Sequence, residues 1–248
     1  MARQQERARR TRAAIVEAAA VEFARRGYAA ASVNTILEGS HATKGAMYFH
    51  FESKEDLARA VLASALERYT ESTDRWRRVD ADPFQVLHAI IVELADRFAS
   101  ETIVQAEFRL IIEPEFYSEV RSGGSQVWGH TAHELVLRAQ REGQLRRDAD
   151  PAVFSRVLGA CLAGQRYMLD MTTDSTGLRE RFEEAFAVVL EAMASEEWLA
   201  QWRREGWQDL RAEADAAAAR SESERVDVEA GAEIERLSAP EIASDQPI

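Results

Sequence analysis

The segment HATKGAMYFHFESKEDL, residues 41–57, gathers side chains suited to one chemistry, the non-covalent grip of a polyanion. Lys44 and Lys54 both fall inside it, and every other Lys or Arg in the chain is an arginine. Thr43 can cap a helix and offer its hydroxyl to a phosphate. Lys44 places a compact cation at the first turn of that helix. Gly45 and Ala46 carry little or no side chain, so the backbone can come close to base edges or thymine methyls. Tyr48 and His50 can hydrogen-bond phosphate oxygens. Lys54 stands at the start of the next helix, where free N–H groups already favour an anion. The spacing points to phosphates held from two helix ends. Phe49 and Phe51, in the same run, are expected in the core.

The charge distribution agrees. The 248-residue chain has a formal net charge of −12. Residues 1–60 nevertheless carry ten Lys or Arg against seven Asp or Glu, five of the arginines lying between Arg3 and Arg12. A basic end on an acidic body reads as a local polyanion-binding module.

Beyond this segment, reactive chemistry is sparse. Cys161 lies in an apolar helix with no His beside it in sequence and reads as a structural thiol. His130 and His133 share a helix face, yet no third ligand stands out, so no metal or cofactor is expected. With no paired acid and base and no nucleophile motif, an enzyme is not expected. Phe154, Leu158, Cys161, Gln165 and Met168 recur at helical spacing, with Gln165 the polar member of the row. A buried amide needs a partner. Either a ligand supplies it, or a neighbouring helix or a second subunit does. Trp128, in GGSQVWGHTAHEL, is a second candidate. Ile91, Leu94, Phe98, Leu110, Thr131, Leu158 and Cys161 complete the candidate ligand lining.

These residues require an all-α scaffold, and the composition suits one, with Ala, Leu, Glu and Arg common and Gly and Pro scarce. Ile15, Ala19 and Phe23 give the first helix its face, and Arg25-Arg26-Gly27 ends it. Ser32 caps a short second helix. Ser40-His41-Ala42 makes a three-residue turn, and Thr43 opens a short third helix through about Phe49. Ser53 caps a fourth, running to about Arg75. Two short helices joined by a tight turn and braced by a longer one describe a helix-turn-helix unit.

Further helices are expected from Pro83 along Phe84, Leu87, Ile91, Leu94 and Phe98, then over 102–113, and then from Gly124 to about Glu142. Others run from Pro151 to about Thr172, from a cap at Thr176 to about Ala194, and from Glu196 along Trp198, Trp202 and Trp207. The domains are drawn as 1–55 for DNA binding, 56–213 for a larger helical ligand-binding and dimerisation body, and 214–248 for a fraying, acidic, disordered tail. No apolar run approaches the roughly 18 residues of a membrane span. The N-terminus lacks a signal peptide's apolar core, so a cytoplasmic protein without a membrane partner is expected.

Residues 9–57 resemble the N-terminal domain of the tetracycline-repressor (TetR) family of transcriptional regulators. The likeness rests on RTRAAIVEAAAVEFARRGYAAASV and TKGAMYFHFESKEDL. The form TKGAMYFHF is most similar to the γ-butyrolactone-receptor branch. The resemblance implies a homodimeric repressor that binds double-stranded DNA at an inverted-repeat operator. A small-molecule inducer of butyrolactone, butenolide or furan type would release it. The alternative is a TetR-like regulator of efflux or lipid metabolism answering an apolar ligand. The resemblance also implies that Trp128 lines the ligand cavity and that the helices at 151–172 and 176–194 form the dimer contact. Phe182, Phe186, Val189 and Met193 are the expected seam. One departure stands out: the turn carries Ser40-His41-Ala42 where the family usually has Ala-Gly-Val.

Overall fold

The computed structural model describes residues 2–120, 123–169 and 177–220. The expected helix end near Thr172, the cap at Thr176 and the tail 221–248 lie outside them. Within the described residues the fold is all-α. The N-terminal unit consists of α1 (Ala2–Ala30), α2 (Val33–Ser40) and α3 (Lys44–His50). The body begins along α4 (Lys54–Trp76) and continues through α5 (Pro83–Ser100) and α6 (Thr102–Leu110). A 3-10 turn (Pro114–Phe116) leads to α7 (Tyr117–Val120), α8 (Gly124–Arg141), α9 (Pro151–Leu169), α10 (Leu178–Met193) and α11 (Glu196–Glu205).

Local sequence sets the ends of the first helices. Gly27 adopts φ 70°, ψ 178° and breaks α1 where a glycine was expected to stop it. The Ser32, Thr43 and Ser53 side chains each accept a backbone N–H of their own helix, from Thr35, Ala46 and Asp56. The turn between α2 and α3 closes through His41 N–H to Glu38 O and Ala42 N–H to Leu37 O, at 3.3 and 3.2 Å. That pairing needs a left-handed residue, and His41 supplies it at φ 53°. A side chain there costs more than glycine does. His41→Gly is therefore expected to stabilise the N-terminal unit by about 0.5–1 kcal/mol, read as a raised urea midpoint.

Glu22, almost fully buried, accepts the Ser32 N–H at 3.0 Å and so fixes α2 against α1. Ile15, Phe23, Ile36, Met47 and Phe51 close the small core.

In the body, one carboxylate organises three elements. Asp82 Oδ1 caps α5 by accepting the Phe84 and Gln85 N–H groups. Its Oδ2 accepts the Trp198 indole N–H and the Gln144 amide, each at 2.8 Å. Phe84 lies stacked on Phe154 and edge-on to Phe186 and Trp198.

Two expectations fail here. Trp207 is not on α11, which ends before Gly206 at φ 71°. It lies instead stacked on His88, 3.9 Å between centroids. Residues 211–220 are helical with Ala214 and Ala217 buried, so the chain stays packed past the point where fraying was expected.

His88 Nε2 lies 2.8 Å from Glu183 Oε1. Burial lowers the His88 pKa below 6.5, and the hydrogen bond that His88 donates to Glu183 opposes this only in part. The unfolded chain therefore takes the proton first. Stability is fully present above 6.5 and is lost as pH falls from there toward the folded value. Melting temperatures should drop between about pH 7.5 and pH 5.5, less steeply in His88→Gln.

Candidate nucleic-acid interface and ligand cavity

α3 is anchored by one residue. Met47 is fully buried against the N-terminal core, and the rest of the helix faces out. Thr43, Lys44, Gly45 and Tyr48 are exposed, and Ala46 and His50 are half-buried beside them. A Cβ built on Gly45 meets nothing within 4 Å. Nothing in the subunit's own packing requires glycine there, although glycine in a helix costs about 1 kcal/mol relative to alanine. The free space lies on the outward face, where a partner would approach.

Two side chains depart from expectation. Phe49 is 78% exposed rather than in the core, while Phe51 is buried as expected. The reason is helical phase: Met47 and Phe51 lie four apart on the inner face, and Phe49 falls half a turn away. Lys54 also differs. Its ammonium lies 2.8 Å from Tyr28 O and 3.3 Å from Ala29 O and Ala31 O, and 4.6 Å from the Tyr28 ring centroid. All three N–H donors thus point at the end of α1. Where a phosphate contact was expected, the Lys54 ammonium is engaged within the subunit as a helix cap.

In the body, a cavity of about 260 Å³ lies between α4, α5, α6, α8, α9 and α10. Leu94, Phe98, Phe108, Ile111, Leu162 and Phe182 supply apolar wall. Trp128 lines it too, and its Nε1 is buried with no hydrogen-bond partner among the described residues. Arg166 and Glu107 bring charge to the same wall, and both are buried. The Arg166 guanidinium carbon stands 5.1 Å from the Phe108 ring centroid and 5.9 Å from that of Phe98. Tyr69 directs its hydroxyl to Glu107 Oε2 at 3.5 Å. Burial, reinforced by the Glu107 charge, holds the Tyr69 pKa well above 10, so the phenol remains a donor.

Of the expected lining, Trp128, Leu94 and Phe98 face this cavity. Ile91, Leu110, Thr131 and Leu158 are buried in the packing and do not line it. Gln165 and Cys161 are half-buried and lie off it. The difference is one residue of helical phase on α9, about 100°. The row that faces inward is Ser155, Gly159, Leu162 and Arg166. It has the same 4-3-4 spacing as Phe154, Leu158, Cys161 and Gln165, so periodicity alone does not separate the two. His130 and His133 are engaged apart, by Gln126 at 2.8 Å and Ser155 at 3.1 Å.

Residues 15–61 match the family model for bacterial regulatory proteins of the tetR family. The chain is 32% identical over 224 residues to the A-factor receptor protein of Streptomyces griseus, covering 89% of this chain and 77% of that protein. The chain belongs to the TetR family. A second relative of this TetR-family repressor is the HTH-type transcriptional repressor BepR of Brucella suis biovar 1 (strain 1330), 32% identical over 172 residues, covering 66% of this chain and 82% of that protein. Among solved structures, one described as a gamma-butyrolactone receptor (ArpA like protein) superposes with a TM-score of 0.63 at 25% identity, covering 88% of this chain and 99% of that one. In the TetR-family regulator described here, α1–α3 are the DNA-binding helix-turn-helix domain, and the remaining helices form the C-terminal body. Among the described residues no helix is long and apolar enough to cross a membrane.

Proposed function

We propose that two copies of this repressor bind an inverted-repeat operator and are released by a small oxygenated molecule of the butyrolactone, butenolide or furan type. The observation that carries the ligand reading is the Trp128 indole N–H, buried and unpartnered in a largely apolar wall. A buried donor without an acceptor is costly, and a ligand oxygen would satisfy it. The likeness to a protein named A-factor receptor supports the same ligand class. Thr43, Lys44, Gly45, Ala46, Tyr48 and His50 then face the DNA, joined by the exposed Phe49, whose ring suits thymine methyls.

The subunits meet through the outer faces of α9 and α10. Val157, Gly164 and Met168 on α9 and Val188 on α10 are exposed there. This proposed seam replaces the expected residues, because Phe182, Phe186 and Val189 are buried within the subunit and Met193 packs against its core.

The test takes an operator selected from a randomised inverted-repeat library and measures its affinity with and without a panel of 2-acyl-γ-butyrolactones. Release by a lactone supports the reading; release only by structurally unrelated apolar compounds favours an efflux-type regulator. Lys44→Ala should weaken operator binding by about 1 kcal/mol per half-site and flatten the salt dependence by about one unit of slope per half-site.

A further inference from the structure

Three elements meet at one point between the DNA-binding domain and the body. The first is the end of α1. Gly27 breaks that helix and sets Tyr28 edge-on to Phe116, with centroids 4.9 Å apart and rings at 90°. The second is the stretch just after α6. Phe116 is fully buried, and a Cβ on Gly27 would lie 3.5 Å from Glu113 Oε1 of the same stretch. The third is the start of α4, where the Lys54 ammonium sits over the Tyr28 ring and on the last carbonyls of α1.

Each element leads somewhere different. α6 carries Glu107 and Phe108 of the cavity wall, and Ile111 of that wall follows it directly. Lys54 begins four residues after His50, the last residue of α3. A shift of α6 therefore reaches the recognition helix through one ring-edge contact and one cation, without running the length of α4.

We infer that Tyr28, Phe116 and Lys54 form the joint through which occupancy of the cavity alters the placement of α3, Phe116 and Tyr28 acting as positioning residues. The inference rests on the cavity being the inducer site. Phe116 is fully buried and meets the half-buried Tyr28 edge-on, an arrangement with few alternatives, so the contact transmits displacement rather than absorbing it. A Leu at either position keeps the site apolar but removes the ring edge that fixes relative orientation.

The test imposes occupancy from within. The Gly159 Cβ position lies 4.0 Å from Trp128 Cζ3, so Gly159→Leu projects into the cavity; Ala163→Leu is a second filler should the first fail to fold. Operator affinity is measured on the full chain with the selected inverted repeat. The filler alone should lower it about tenfold. In a Tyr28→Leu or Phe116→Leu background the same filler should lower it less than about twofold, while Tyr28→Phe retains the full tenfold effect. A merely structural role would lower affinity in the background variants and leave the filler's effect intact. A tenfold loss that persists in both Leu backgrounds overturns the joint. Folded fillers that leave wild-type affinity unchanged sink the cavity as the inducer site, and the joint with it. Failure to select any operator instead sinks the DNA reading.

Discussion

Trp128→Phe will keep operator affinity near the wild-type value and lose about 1–3 kcal/mol of inducer affinity, a loss of roughly ten- to hundred-fold. The smaller ring keeps the wall apolar. What disappears is the indole N–H, which has no partner among the described residues. In the unliganded protein that donor is desolvated without compensation, so its removal should leave folding stability unchanged or slightly higher. In the complex it would hold a ligand oxygen, and its removal should weaken binding. Calorimetric titration with a lactone that wild type binds, alongside a gel shift without it, measures both halves. Equal lactone affinity in the two proteins would remove Trp128 from the recognition chemistry.

Lys54→Met should destabilise the DNA-binding domain by about 2–3 kcal/mol while leaving the salt slope of operator binding unchanged. Methionine keeps an apolar stem of similar length. It leaves the carbonyls of Tyr28, Ala29 and Ala31 without the ammonium that now meets them. These carbonyls terminate α1, so the loss falls on the seat of the helix-turn-helix. Urea unfolding followed by far-UV circular dichroism gives the first quantity and gel shifts at several salt concentrations give the second. A lowered slope, as expected for Lys44→Ala, would mean that Lys54 reaches phosphate after all.

The two lysines show what a sequence can and cannot reveal. Both lie at helix starts, and local signals place them there: Thr43 and Ser53 are caps whose hydrogen bonds form within their own helices. Such elements depend on neighbours in sequence, and so they are legible. What Lys54 touches lies 23 to 26 residues away, at a helix end whose direction is set by the break at Gly27. No local pattern encodes that meeting.

The expected ligand lining departs from the cavity wall for a related reason. α9 has two faces with identical spacing, and the one ending in Gln165 looked better because a lone amide among apolar residues invites a partner. The tertiary packing chose the face ending in Arg166, a residue type that is mostly exposed. Small residues gave the available clue: Gly159 and Ala163 make room opposite Trp128. Phe49 misled through composition, since an aromatic between Met47 and Phe51 reads as core until helical phase is enforced.

The turn at His41 has a consequence for how release can work. Its two backbone hydrogen bonds fix the turn on the end of α2, and Ile36 and Met47, both fully buried in one core, hold α2 and α3 together as one block. A block of that kind swings whole; its grip on bases is not readily reshaped from a distance. In a pair of subunits, what an effector can change is therefore the stride between the two blocks. A solitary half-site, offering no stride to mismatch, would be indifferent to the effector.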